Sequence, residues 1–125
     1  MISFEEFILD DDSPIYMQII RYIKQRIAAG SIEDQEEVPS RRALSALLGV
    51  NPNTIQKAYH MLEEEGIIVS RSGAKSFTCV RADTVERIRW ELTVSSTLQW
   101  VKTMKQLGVG REEAWELFEK MWEER

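Results

Sequence analysis

The chain has one cysteine and one histidine among 125 residues. A lone cysteine, Cys79, excludes an internal disulfide and fits a reducing compartment. His60 and Cys79 together fall short of the three or four ligands a metal site needs. Cys79 lies among β-forming residues, where a buried inert thiol is expected rather than a nucleophile paired with His60. Ser40 and Ser72 have no base of the required kind nearby, and neither GxxxxGK[ST] nor GxGxxG occurs. The chain thus reads as a non-enzyme with no metal and no cofactor. No apolar run reaches the roughly 18 residues of a membrane helix. The opening MISFEEFILDDD lacks the basic start and small-residue cleavage site of a signal peptide. Cytoplasm is the expected location, with no membrane partner.

Positive charge is also scarce overall: the net charge is −5. Its distribution is more informative than its sum. Residues 1–39 carry three basic and nine acidic groups, and residues 82–125 carry seven and nine. Residues 40–81 carry six basic (Arg41, Arg42, Lys57, Arg71, Lys75, Arg81) and three acidic (Glu63, Glu64, Glu65), an excess of +3. The acidic flanks keep the protein soluble and weaken non-specific attraction to polyanions.

That basic segment holds the stretch around which the chain is arranged, Val38 to Lys57, reading VPSRRALSALLGVNPNTIQK. Ser40 is a preferred N-cap type. Ala43, Leu44, Leu47 and Leu48 follow at helical spacing, and Gly49 stands where a left-handed residue closes a helix. Val50 is expected as a buried hinge. Asn51 and Pro52 open a second helix, Asn as cap and Pro at the first position. Ile55, Ala58, Tyr59 and Leu62 carry its apolar stripe to Gly66. Two short helices joined by a tight glycine turn are the pattern of a helix-turn-helix, whose second helix enters the DNA major groove. Here that helix begins with Asn53, Thr54, Gln56, Lys57 and His60, all able to hydrogen-bond base edges or phosphates. The plainer alternative is a helical hairpin with a solvated polar face.

Phe4, Phe7, Ile8 and Leu9 form an apolar patch expected to be a short strand or a docking arm, within an N-terminal arm 1–12. Ser13 and Pro14 are expected to open a first helix, as cap and first residue. Its apolar stripe is Ile15, Ile19, Ile23 and Ile27, with Arg21, Lys24 and Arg26 on the solvated face. Gly30 is its stop. Ser31 to Glu37 read as a loop. Glu63 to Glu65 read as a solvated face at the far end of the second motif helix. Ile67, Ile68, Val69, Phe77 and Val80 flank Ser72-Gly73-Ala74 and predict a two-stranded hairpin in which Ile67, Val69 and Phe77 pack. Its tip would bring Arg71, Ser72, Gly73 and Lys75 to the DNA backbone or minor groove, with Gly73 permitting close approach.

From Asp83 a second module begins. A long helix carries Val85, Ile88, Trp90, Leu92, Val94, Leu98, Trp100 and Val101. Gly108-Val109-Gly110 breaks it, and Arg111 to Arg125 form another, with Glu112 and Glu113 favoured in its first turn. All four tryptophans lie in this tail. Two helices cannot enclose that much aromatic surface, so an interface is expected. Trp90, Val94, Leu98, Val101, Trp115, Phe118 and Trp122 are the candidate dimerisation residues. A two-fold protein reads half-sites about one DNA turn, roughly 34 Å, apart. An intrachain cap and a small effector pocket are the alternatives.

Several of these residues together resemble the GntR-type transcription regulators, and within them the short YtrA-like branch. They are Pro14-Ile15-Tyr16 with Gln18-Ile19, Pro39-Ser40 with Arg42, Leu48 through Thr54, Ala58-Tyr59, Leu62-Glu63 with Glu65-Gly66, and Gly73 with Phe77. The likeness covers roughly residues 13 to 80. It implies a mainly α fold with a small β-hairpin: a winged helix-turn-helix domain over 1–81 and a helical dimerisation tail over 82–125. It implies a homodimer on an inverted-repeat DNA operator, usually a repressor, with transporter genes a frequent target in that branch. It assigns DNA contacts to Arg42, to Asn53, Thr54 and Gln56, and to Ser72-Gly73; Arg41, Lys57, Arg71 and Lys75 are expected on phosphates. The loop that usually holds a glycine before Val38 instead reads Glu33-Asp34-Gln35-Glu36-Glu37, and Lys75 replaces the second wing glycine. An interaction module without DNA binding and an effector-gated regulator are the rival readings.

Overall fold

The computed structural model describes residues 1–71 and 75–124. The chain divides into two compact units, Met1–Arg89 and Trp90–Arg125. The division falls inside the fourth helix rather than at its start. The first unit contains α1 (Ile15–Ala28), β1 (Glu37–Val38), α2 (Arg41–Leu48), α3 (Pro52–Glu64), β2 (Ile68–Arg71), β3 (Lys75–Thr78) and the first turns of α4 (Ala82–Gln106). The second contains the rest of α4 and α5 (Arg111–Glu124).

The core of the first unit follows the helical periodicity. Ile19, Ile23 and Ile27 of α1 are fully buried with Leu44, Ile55, Tyr59, Leu62, Ile67 and Ile88. Each such side chain contributes about 1.5–3 kcal/mol by leaving water. The start of α1 differs from expectation: Pro14 is the N-cap and Ser13 makes no capping bond. The Gln18 side chain ties the entry instead. Its Nε2 donates to the carbonyls of Asp10 (2.9 Å) and Ser13 (2.7 Å), and its Oε1 accepts from the Asp10 amide. The incoming chain is thereby fixed without the serine hydroxyl. Lys24 is also not on the solvated face. It is buried, and its ammonium donates to Glu65 at 2.9 Å.

The expected two-stranded hairpin is a three-stranded antiparallel sheet in the order β1-β3-β2. Residues 31–37 were expected as loop throughout, but Glu37 pairs with Phe77 and Val38 with Ser76. Two residues are too few to show an alternation. Thr78, fully buried, fixes this edge. Its hydroxyl donates to the Glu33 carbonyl (2.6 Å) and accepts from the Glu36 amide (2.9 Å). Its own amide donates to the Glu36 carbonyl, and its carbonyl accepts from the Gln35 amide. Asp34 adds a bond from the Val80 amide. The turn is made by Gln35 at φ 62°, a left-handed conformation that a glycine would adopt more readily.

The packing register of the wing also differs. Ile67 and Ile68 are both buried, while Val69 faces outward. Gly66, at φ 75°, turns the chain out of α3, so Ile67 packs before β2 begins, and in β2 only Ile68 is buried. Cys79 and Val80 lie beyond β3, and Cys79 is half-buried rather than enclosed in a strand. At the N-terminus the arm docks through Ile2 and Phe4, and Ile8 is exposed. The Ile2 amide donates to the Glu37 carbonyl, and Phe4 and Phe7 pack on the Tyr22 ring at 4.9 and 5.1 Å.

Candidate nucleic-acid interface

The two helices of the motif are set by local chemistry. The Ser40 hydroxyl accepts from the Ala43 amide at 3.0 Å and starts α2. Gly49 ends it at φ 68°. The Gly49 and Val50 amides both donate to the Ser45 carbonyl, and the Ser45 hydroxyl donates to the Val50 carbonyl at 2.6 Å. Val50 itself is half-buried. Asn51 Oδ1 then accepts from the Asn53 amide at 2.8 Å, and Pro52 is the first residue of α3.

The inward line of α2 is not the apolar one read from the sequence. Leu44 and Ser45 are buried, flanked by half-buried Arg41 and Leu48, at spacing i, i+3, i+4, i+7. Ala43 and Leu47 face outward, Leu47 with 67% of its surface exposed. Two polar residues occupy the core-facing line, so apolar periodicity picked the wrong pair. On α3 the pattern is clean. Ile55, Ala58, Tyr59 and Leu62 are buried. Asn53, Gln56, Lys57 and His60, with the same spacing, form the exposed line on the other side, and Thr54 beside them is half-buried.

The charges around this line are unequal in freedom. Arg41 Nη2 donates to Glu63 Oε1 at 2.9 Å, and its guanidinium lies over the Tyr59 ring at 5.3 Å from the centroid. Its buried Nε has no partner among the described residues. Arg42 is exposed. Burial pushes the Tyr59 phenol well above its ordinary value, against the opposing pull of Arg41, and its hydroxyl donates to the Pro39 carbonyl at 2.7 Å. Glu63 to Glu65 are not a free solvated face. Glu63 accepts from Arg41 and Ser70, Glu64 pairs with His60 at 3.2 Å, and Glu65 pairs with Lys24. Lys57 Nζ sits 4.0 Å from the Tyr16 ring centroid.

In the wing, Arg71 and Lys75 are cross-strand partners. Both are exposed, and Arg71 lies over the Phe77 ring at 4.9 Å. Like charges directly opposite are unfavourable in isolation. The candidate contacts Ser72 and Gly73 lie outside the described residues. Among the described residues no group of His, Cys, Asp and Glu could hold a metal ion, and no helix is long and apolar enough to cross a membrane.

A polar helix face beside a cationic wing is the arrangement of a winged helix-turn-helix. A model of the bacterial regulatory proteins of the gntR family matches residues 15–77. The chain belongs to the GntR family. It is a GntR transcriptional regulator carrying the family's DNA-binding domain, and its relatives are regulators rather than enzymes. The HTH-type transcriptional regulator YhcF of Bacillus subtilis is 36% identical over 100 residues, 80% of this chain and 83% of that protein. The HTH-type transcriptional repressor YtrA of the same organism is 39% identical over 72 residues, 58% of this chain and 55% of that one. A solved GntR family transcriptional regulator from Listeria monocytogenes has a TM-score of 0.80 and 33% identity over 90% of this chain and 98% of its own.

The second unit, seen by itself, is poorly covered. Trp90 and Trp122 are 73% and 72% exposed, Leu98 64%. Val94 and Val101 are half-buried. Trp115 stacks on Phe118 at 5.2 Å, and Phe118 also meets Trp100 and Trp122. These rings leave an open cleft of about 700 Å³ lined by Trp100, Met104, Leu117, Phe118, Met121 and Trp122.

Contacts that sequence reasoning did not assign are those of Ser45, which ties the turn, Glu63, which joins α2, α3 and the wing, and Tyr16, whose ring lies against Lys57. A serine on the inward line of a short helix, just before a glycine turn, was the available signal for the first. The other two are long-range contacts with no local signal.

Proposed function

We propose that the chain represses transcription as a homodimer bound to an inverted-repeat operator. In this reading the line Asn53, Gln56, Lys57 and His60, with Thr54, enters the major groove. Arg42 and the wing cations Arg71 and Lys75 hold the flanking phosphates. The exposed outer line of α3 carries the reading, because it is polar, has no carboxylate of its own from Asn53 to His60 and lies directly opposite a fully buried line. Amides and hydroxyls there suit base edges. The repressor named among the relatives supports the sign of regulation.

Dimerisation is assigned to the apolar surface of the second unit: Trp90, Val94, Leu98, Val101, Trp115, Phe118 and Trp122. Surfaces of this kind usually mark an interface. Selection of bound fragments from a random DNA pool tests the whole proposal. Enrichment of a palindrome is expected, and no enrichment at low salt favours an interaction module instead. Leu98→Glu tests the interface: sedimentation should show monomers and operator affinity should fall. The open aromatic cleft favours a second reading, in which an apolar effector gates binding. Ligand-dependent thermal stabilisation across a metabolite panel tests it.

A further inference from the structure

We propose that Tyr16, on α1, is a positioning residue for DNA binding: its ring holds the Lys57 ammonium in place for a backbone phosphate. The inference rests on the DNA-binding reading above. Among the described residues four cations of this unit lie over aromatic rings, and Lys57 over Tyr16 is the closest, 4.0 Å against 4.9, 5.3 and 5.6 Å for Arg71, Arg41 and Arg26. Lys57 is exposed and has no carboxylate partner among the described residues, whereas Arg41 and Arg26 are also paired to Glu63 and Glu6. The ring is thus the feature that orders Lys57.

The chemistry suits such a role. An aromatic face attracts an ammonium through its quadrupole without neutralising it. The donors pointing away from the ring stay available to an anion, which a carboxylate partner would compete for. A lysine side chain carries large rotamer entropy, so ordering it before binding removes part of the cost of association. Tyr16 lies in the first turn of α1 and is half-buried, so its ring has a fixed seat. Lys57 belongs to the same exposed line as Asn53 and Gln56. The ring therefore sets the flank of that line nearest α1, where a phosphate would lie while base edges meet the amides.

Two measurements test this. In the free protein, ring current should shift the Lys57 ε-methylene protons upfield, in wild type and Tyr16→Phe but not in Tyr16→Leu. An ordinary Lys57 shift in wild type overturns the inference without any variant. Binding to a mixed-sequence DNA duplex should weaken roughly three-fold in Tyr16→Leu, the scale of an exposed cation–π contact. It should recover in Tyr16→Phe, and Tyr16→Leu should have no effect in a Lys57→Ala background. Equal weakening with and without Lys57, or none, overturns the inference while leaving DNA binding intact. A shifted Lys57 in a wild type that binds no duplex overturns the DNA-binding reading and, with it, the purpose given to the ring.

Discussion

Arg41 Nη2 and Glu63 Oε1 lie 2.9 Å apart, joining the first turn of α2 to the last turn of α3. Glu63 also accepts from the Ser70 hydroxyl in β2. One carboxylate therefore links both motif helices and the wing. Adjacent arginines at the start of α2 have different surroundings as a result: Arg41 is paired with Glu63 and packed on Tyr59, and Arg42 faces outward.

Arg41→Ala should lower stability by about 1–2 kcal/mol, the range for a partly buried pair with packing. Arg42→Ala should stay within about 0.5 kcal/mol of wild type, as surface changes do. It should nevertheless weaken duplex binding. Denaturant titration and DNA titration of the two variants check this, and equal binding losses would remove the distinction.

Changes on the α3 outer line should separate by kind. Asn53→Ala and Gln56→Ala should relax base preference at one position, by about 1–3 kcal/mol. Lys57→Ala should weaken all sequences alike and reduce the salt slope by about one. An unchanged slope for Lys57→Ala would end its phosphate assignment.

Alkaline pH should expose Tyr59. Its phenol titrates higher in the folded than in the unfolded chain, so the unfolded state releases the proton first. Stability is then unaffected below the unfolded value of about 10 and falls above it, by up to about 1.4 kcal/mol per pH unit. Tyr59→Phe should remove that part of the fall. It should also cost about 1–2 kcal/mol at neutral pH by leaving the Pro39 carbonyl without its partner. Denaturation midpoints measured against pH for both proteins check the sign.

Thr78→Val should cost about 1–2 kcal/mol, because the buried hydroxyl's two bonds, to the Glu33 carbonyl and from the Glu36 amide in a partly buried place, would be lost. Thr78→Ser should recover most of it. At Gln35, valine should be worse than glutamine and glycine at least as good, since a β-branched residue resists φ 62°. Thermal melts give the order directly.

Much of this was legible in the chain because short-range signals govern it. Ser40, Gly49, Asn51 and Pro52 do their work within one turn, and α3 alternates faces cleanly enough that its outer line could be read off. The GntR resemblance rested on those residues too. What was hidden depends on residues far apart. Arg41 and Ser45 occupy the inward line of α2 with Glu63 and Val50 as their partners. Lys24 is buried because Glu65 meets it. β1 is two residues long and exists only through β3. No periodicity reports such partners, and the apolar pattern misplaces faces wherever a polar residue is satisfied inside.

The bonds at Thr78 have a further consequence for the length of the loop before β1. They engage main-chain atoms of Glu33, Gln35 and Glu36, so they constrain the number of residues in the loop directly, whatever its side chains add. Adding or deleting one would be felt at once at the root of the wing. Amide exchange at Gln35, Glu36 and Thr78 should accordingly speed up together when any one of these bonds is broken, marking them as a single opening unit.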